Sequence, residues 1–198
     1  MVVCHKKKCI FVHIPKTAGT SIEQFLKDNG KNNIDYHGVR DGRSMHHFTA
    51  MDLKKELPWC FNDYYKFSIV RNPYDRLLSE YYWTPIPNVG YRSGKTRAEF
   101  LDYVSYIVKN RLFFENIYND HFIPQFMFIY GKKLLIDHIF KFENMNLVVD
   151  FLKKKLQIEN DLPNLNKSKL KKEYWNDRQK ERIYKIYKND FILFGYSK

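Results

Sequence analysis

No apolar run in this sequence is long enough to cross a bilayer, and the first residues lack the apolar core of a secretory leader. A membrane span and a signal peptide are therefore not expected, which fits a soluble, cytoplasmic chain. Cysteine is scarce: Cys4, Cys9 and Cys60 make an odd number without metal-ligand spacing. No metal site is expected from them, and reduced thiols suit a cytosolic setting. Acidic residues are in deficit, 22 against 34 basic ones, for a net charge of +12. A field of that sign draws polyanions such as nucleic acid, acidic glycans, lipid headgroups or a nucleotide. Much of the excess lies in lysine runs at 6–8, 153–155 and 167–172, although lysine-rich surfaces also arise from coding bias alone. Internal repeats and low-complexity linkers are absent as well. What is present, 198 residues with 44% apolar and 17% aromatic content, suits one domain over residues 1–198.

The most informative stretch is Phe11-Val-His-Ile-Pro-Lys-Thr-Ala-Gly-Thr-Ser21. A short apolar strand runs into Pro15 and Lys16, then a turn of small residues, then an apolar helix. Unpaired N–H groups at such a helix start, with the positive end of the dipole, form an anion site. Lys16 adds a full charge, and Thr17, Thr20 and Ser21 add hydroxyl donors. Ala18 and Gly19 keep the turn small enough for an anion to reach the backbone. The pattern is not a Walker A loop, whose lysine follows the second glycine; here Lys16 precedes the only glycine. A phosphate or sulfate at the end of a strand is the chemistry this suits.

A second corner follows the apolar stretch 64–70, which ends in Arg71-Asn-Pro-Tyr-Asp-Arg-Leu-Leu-Ser79. Asn72 is a good N-cap and Pro73 a good first helical residue. In a nucleoside triphosphatase the corresponding strand ends in an aspartate that holds magnesium. An arginine there suits metal-free, bidentate clamping of a second phosphate, and Ser79, two turns on, could add a hydroxyl to the same anion.

Around these corners strands alternate with helices. Strands are expected at 8–14, 65–70 and 136–142, with a short extended piece at 34–37. Helices are expected from Thr20 to a stop at Gly30, at 51–57, at 73–83, from the Thr96–Glu99 capping box to about Val108, at 145–156 and at 177–191. Residues 84–95, rich in proline and glycine, read as a loop over the site. Such alternation indicates an α/β fold, P-loop-like and three-layered, with a central, mostly parallel sheet flanked by helices. Ligands bind at the carboxyl ends of the strands.

The pairing of Pro15–Ser21 with Arg71–Ser79 resembles the sulfotransferases, and more narrowly the carbohydrate-type branch that includes the heparan sulfate 2-O-sulfotransferases and short bacterial and viral-type relatives. The resemblance continues through His46-His47-Phe48-Thr49-Ala50, His121-Phe-Ile-Pro-Gln125, Phe140-Lys-Phe-Glu-Asn144, Leu165-Asn-Lys-Ser168, and Asp190-Phe191 with Phe194-Gly-Tyr196. It covers nearly the whole chain. The resemblance implies that the first motif, Lys16, Thr17, Ala18, Gly19, Thr20 and Ser21, holds the 5′-phosphosulfate of 3′-phosphoadenosine-5′-phosphosulfate (PAPS). Arg71 and Ser79 would hold its 3′-phosphate, and the loop with Lys167 and Ser168 would close over the nucleotide. It further implies a hydroxyl acceptor on a glycan, 3′-phosphoadenosine-5′-phosphate (PAP) as product, and no metal. Eukaryotic relatives usually sit in the Golgi lumen behind a membrane anchor, so that setting applies if an anchor has been removed.

The acceptor hydroxyl needs a base that is neutral near pH 7, which favours histidine. His13 and His138 fall in strand candidates and read as structural. His47 is preferred, because the segment 47–53 aligns with the stretch that carries the catalytic histidine in the glycan 2-O-sulfotransferases. There the histidine pair is spaced by one residue, whereas here it is contiguous, so His46 stays an alternative; His37 and His121 come next. Lys16 is the second catalytic candidate, beside the phosphosulfate bridge as its S–O bond breaks. Rival readings are a P-loop-type kinase or triphosphatase, a basic nucleic-acid binder, and a sulfotransferase-like protein that binds nucleotide without turnover.

Overall fold

A hairpin not anticipated from the sequence opens the chain: β1 (Val2–Cys4) pairs antiparallel with β2 (Cys9–Val12), with Cys4 opposite Cys9. The computed structural model describes residues 2–29, 34–35, 38–40, 43–157 and 174–198. After β2 come α1 (Gly19–Asn29), β3 (Ile34–Asp35), the small hairpin β4 (Val39–Arg40) and β5 (Arg43–Ser44), and α2 (Ala50–Glu56). Then follow β6 (Tyr65–Val70), α3 (Pro73–Trp83), α4 (Arg97–Asn110) and a five-residue α5 (Gln125–Ile129). β7 (His138–Lys141), α6 (Met145–Leu156) and α7 (Asp177–Phe194) complete the order.

The elements start where side chains can satisfy orphan amides. Thr49 and Asp52 form a capping box at α2, and Thr96 and Glu99 form one at α4. Asn72 caps α3 with Pro73 at its first position. Asn176 and Gln179 form a capping box at α7, which kinks at Tyr187. Loop 84–95 contains a single turn of 3-10 helix, Tyr91–Ser93. Its Ile86 and Val89 are buried in the core, while Tyr91 meets Tyr81 of α3 edge-on and Tyr82 at a tilt.

The five strands lie in the order β3-β1-β2-β6-β7, with β2, β6 and β7 mutually parallel and β1 antiparallel to both its neighbours. Alternation along β2 divides the core between two faces. Cys9 and Phe11 join Phe67, Ile69 and Phe140 under α1 and α6. Ile10 and Val12 face the larger cluster built with α2, α3, α4, α5 and α7. The result is the three-layer α/β arrangement expected from the sequence. The carboxyl ends of β2, β6 and β7 open on one edge. Among the described residues no helix is long and apolar enough to cross a membrane.

Candidate active site

Beyond β2 the chain turns through Pro15, Lys16, Thr17 and Ala18 into α1. Lys16 and Ala18 both have positive φ, 68° and 69°. That conformation costs a residue with a side chain about 1–2 kcal/mol. Two such residues two positions apart make a turn of the kind whose amides can cradle an anion. The first turn of α1 contains no acidic residue to oppose it. Ser21 is buried and Thr20 exposed.

Two loop residues have roles different from those expected. The Thr17 hydroxyl donates to the Ile14 carbonyl at 2.8 Å and is fully buried, so it ties the turn to the strand instead of facing a ligand. Gly19 is small because of a neighbour: a Cβ there would come within 1.9 Å of the His13 ring. Buried Arg76 supports the same turn from α3. Its Nε donates to the Pro15 carbonyl at 3.1 Å, and Nη2 to the carbonyls of His121 at 2.7 Å and Ile123 at 3.0 Å.

Arg71 leaves β6 beside this turn and donates from Nη1 to the Lys16 carbonyl at 3.1 Å. Its guanidinium lies 4.2 Å from the centroid of Phe142, just beyond β7, and its Nε is buried without a hydrogen-bond partner. Its backbone is gripped from both sides by fully buried Gln125. The Arg71 amide donates to Oε1 and Gln125 Nε2 donates to the Arg71 carbonyl, both at 2.9 Å. Asp190 of α7 accepts the amides of Gln125 and Phe126 at 2.8 and 2.9 Å. Glu143 accepts the Asn72 amide at 2.7 Å and the Tyr196 hydroxyl at 2.9 Å. The downstream pieces around Gln125, Glu143, Asp190 and Tyr196 thus act as scaffold that sets Arg71 against the Lys16 turn. Ser79 is half-buried one turn after Arg76 and one turn before Trp83, on the same side of α3.

Four histidines meet at this edge. The His47 ring lies 5.1 Å from that of His13 and 4.8 Å from that of His121, edge-on to both; His46 is 6.2 Å from His47. His121 in turn stacks on Trp83 at 4.8 Å, and the Lys16 ammonium sits 4.2 Å from the Trp83 centroid. Lys16, the end of α3 and the histidines therefore form one site. Three Nδ1 atoms contact buried carboxylates: His13 with Glu23 at 2.9 Å, His47 with Asp120 at 2.9 Å, and His121 with Glu80 at 2.8 Å. His46 is 3.5 Å from the other Glu23 oxygen. His46 and His47 occupy a 3-10 turn, Met45–His47.

Burial and partners divide the charges. Burial raises the Glu80 pKa, but His121, Lys16 and Arg76 outweigh it and lower it overall, so the carboxylate is held ionised. Glu23 is likewise lowered, by His13 and His46 against burial. Burial lowers His13, with Glu23 opposing, so that pair is a neutral imidazole donating to a carboxylate. At His47 burial and the neighbouring histidines push the pKa well below the usual histidine range. Burial, with Glu80 adding to it, raises Asp120 to about 7 against the pull of His121 and Arg43.

Two sets, His13–Glu23–His46 and His47–Asp120–His121, bring ligand-type atoms within 4.8 Å of one another. In the first set both rings contact Glu23; in the second only His47 bonds Asp120, while His121 is held by Glu80 and its Nε2 lies 3.9 Å from Asp120 Oδ1. Lys167, Ser168 and His37 lie outside the described residues. His138 is exposed at the start of β7, at the opposite end of the strand. The sequence reading did not identify Glu23, Arg76, Glu80, Trp83, Asp120 or Gln125. For Glu23 the signal was available, because it shares the buried face of α1 with Ile22, Phe25 and Leu26. Glu80 is similarly placed beside Leu77 and Tyr81.

Compared with known proteins, residues 1–197 match the family model described as the sulfotransferase family. Neither the curated proteins nor the solved structures gave a match.

Proposed function

The chain belongs to the sulfotransferase family, and we propose that it moves a sulfuryl group from PAPS to an acceptor hydroxyl and releases PAP. The observation that carries this reading is the pair of adjoining anion corners. The strained Lys16–Ala18 turn ends one strand, and Arg71, with its buried and unpartnered Nε, ends the next. PAPS suits such a pair because it carries phosphate groups at both the 5′ and 3′ positions, and it supplies the activated sulfuryl group. In this reading the turn amides and Lys16 hold the phosphosulfate end, and Lys16 neutralises charge on the departing phosphate. Arg71, with Ser79 nearby, holds the 3′-phosphate by charge-assisted hydrogen bonds. His47 takes the proton of the acceptor hydroxyl. A sugar hydroxyl is the acceptor proposed, with the basic surface helping to hold an anionic glycan. A kinase-type site would need an acid where Arg71 stands.

The test is a thermal-shift titration with PAP in the presence of a chelator, followed by transfer from labelled PAPS to a panel of glycans. At 100 times Kd, PAP should add about 2.7 kcal/mol. For a chain of this size that shifts Tm by roughly 5–10 °C. Loss of binding on chelation, or tighter binding of ATP than of PAP, would overturn the assignment.

A further inference from the structure

We propose that Asp120 is the positioning residue of the base: it fixes the tautomer and direction of His47, leaving Nε2 bare for the acceptor hydroxyl. The inference rests on the reading of His47 as the base, and the test below separates failure of one from failure of the other.

A neutral imidazole has a single N–H, and the hydrogen bond made by one nitrogen decides which nitrogen carries it. His47 Nδ1 lies 2.9 Å from Asp120 Oδ2, and the side chains are only 12% and 5% exposed. Above about pH 7 the Asp120 carboxylate is ionised and can only accept, so there Nδ1 must donate and Nε2 keeps its lone pair. The ring is confined on both flanks by His13 and His121, each tied to its own carboxylate, Glu23 or Glu80.

Both partners stand on anchored segments. His47 precedes α2, whose capping-box Asp52 is held bidentately by Arg43 at 2.9 and 2.6 Å. Asp120 sits in the 3-10 turn Asn119–Phe122, where the His121 carbonyl takes a hydrogen bond from Arg76. The same Arg76 holds the Pro15 carbonyl, so the Asp120 turn and the Lys16 turn are braced by one side chain.

The proton and electron count closes. The acceptor O–H proton passes to Nε2, and the resulting imidazolium keeps Nδ1–H on the Asp120 carboxylate. The acceptor oxygen forms the new S–O bond as the bond to the 5′-phosphate breaks, and that electron pair leaves on PAP beside Lys16. No oxidant or further reactant is required.

The arrangement also sets a pH dependence. His47 faces His13, His46, His121 and Asp120, while Asp120 faces His121, Glu80 and Arg43, with Lys16 beyond Trp83. Burial holds His47 neutral and raises Asp120 to about 7. Below that pH the protonated carboxyl donates to Nδ1, the ring proton moves to Nε2, and the base is lost. Turnover should therefore rise with pH through about 7.

The experiment compares wild type, Asp120→Asn, Asp120→Glu and His47→Ala for PAP affinity, kcat against pH, and the His47 tautomer by nitrogen NMR. Asp120→Asn should bind PAP as wild type does, lose about 10²–10⁴-fold in kcat, and lose the rising limb near pH 7. Asp120→Glu should recover part of the rate. If His47→Ala is inactive but Asp120→Asn keeps the wild-type rate and profile, the positioning role is overturned. A fully active His47→Ala would instead sink the reading of His47 as base. Activity removed by a chelator and restored by zinc would also overturn the proposal, by making His47 a ligand. Should Asp120→Asn not fold, the wild-type tautomer decides. Nδ1–H above pH 7 is the expected result, and Nε2–H overturns it.

Discussion

Arg71 does two things with one guanidinium. It donates to the Lys16 carbonyl, and it presents a buried Nε with no partner in the protein. Burial lowers its pKa, with Asp75 and Glu143 opposing, so a second anion beside it would restore solvation that the fold has removed. Arg71→Ala should weaken PAP by about 1.5–3 kcal/mol, or roughly 10- to 150-fold in Kd. Adenosine 5′-phosphosulfate, without the 3′-phosphate, should lose less, only through a looser Lys16 turn. Titration of both nucleotides against both proteins checks this. Equal losses would reduce Arg71 to a support of the turn. The residue types at the two corners were legible in the sequence, because a lysine or arginine directly after a strand is a local pattern. Gln125 and Asp190 were not, since what they do depends on chain segments 54 and 65 residues away.

At the scale of the element, α1 depends on a contact that its own sequence does not reveal. Gly19 looks like a turn residue, yet its φ is not in the left-handed region and its bareness accommodates the ring of His13. Gly19→Ala would add a methyl group 1.9 Å from that ring, with Glu23 holding the imidazole in place. Overpacking of this kind costs about 1–3 kcal/mol, so Tm should fall by several degrees in a melting experiment. The double variant Gly19→Ala/His13→Ala should lose less through this contact than the sum of the single changes. Strict additivity would mean the clash is relieved elsewhere. The helices themselves were readable to within a few residues, because their signals are local: the capping pairs Thr96/Glu99 and Asn72/Pro73, and the apolar spacing. The exceptions are short. β1, the β4–β5 hairpin and α5 have too few residues for periodicity to register.

Taken as a whole, the molecule separates two kinds of positive charge. Lys16, Arg71 and Arg76 lie at the carboxyl edge of the parallel strands. Two of the lysine runs meet at the opposite edge. The β1–β2 turn carries Lys6, Lys7 and Lys8, and Lys7 reaches the Gln157 carbonyl after α6 at 3.4 Å. Lys155, in the last turn of α6, lies over Tyr65 at the start of β6 at 5.1 Å. A polyanion held there would be bound by a screened field. Replacing Lys6, Lys7, Lys153 and Lys154 by serine should lower the salt needed to elute the protein from a heparin column while leaving PAP affinity unchanged. An unchanged elution salt would place the relevant charge elsewhere.

The sequence by itself determined the alternation of strands and helices, the two basic corners at the strand ends and the excess of positive charge. Each is written in residues within a turn or two of one another, where propensity, capping and spacing act. Only the tertiary structure decided which histidine meets which acid. His47 and Asp120 are 73 residues apart, and no local rule pairs them. Burial at the edge of the sheet pushes the pKa values of His13 and His47 down and that of Asp120 up. Those shifts follow from exclusion of water, and water is excluded only once the three layers have packed.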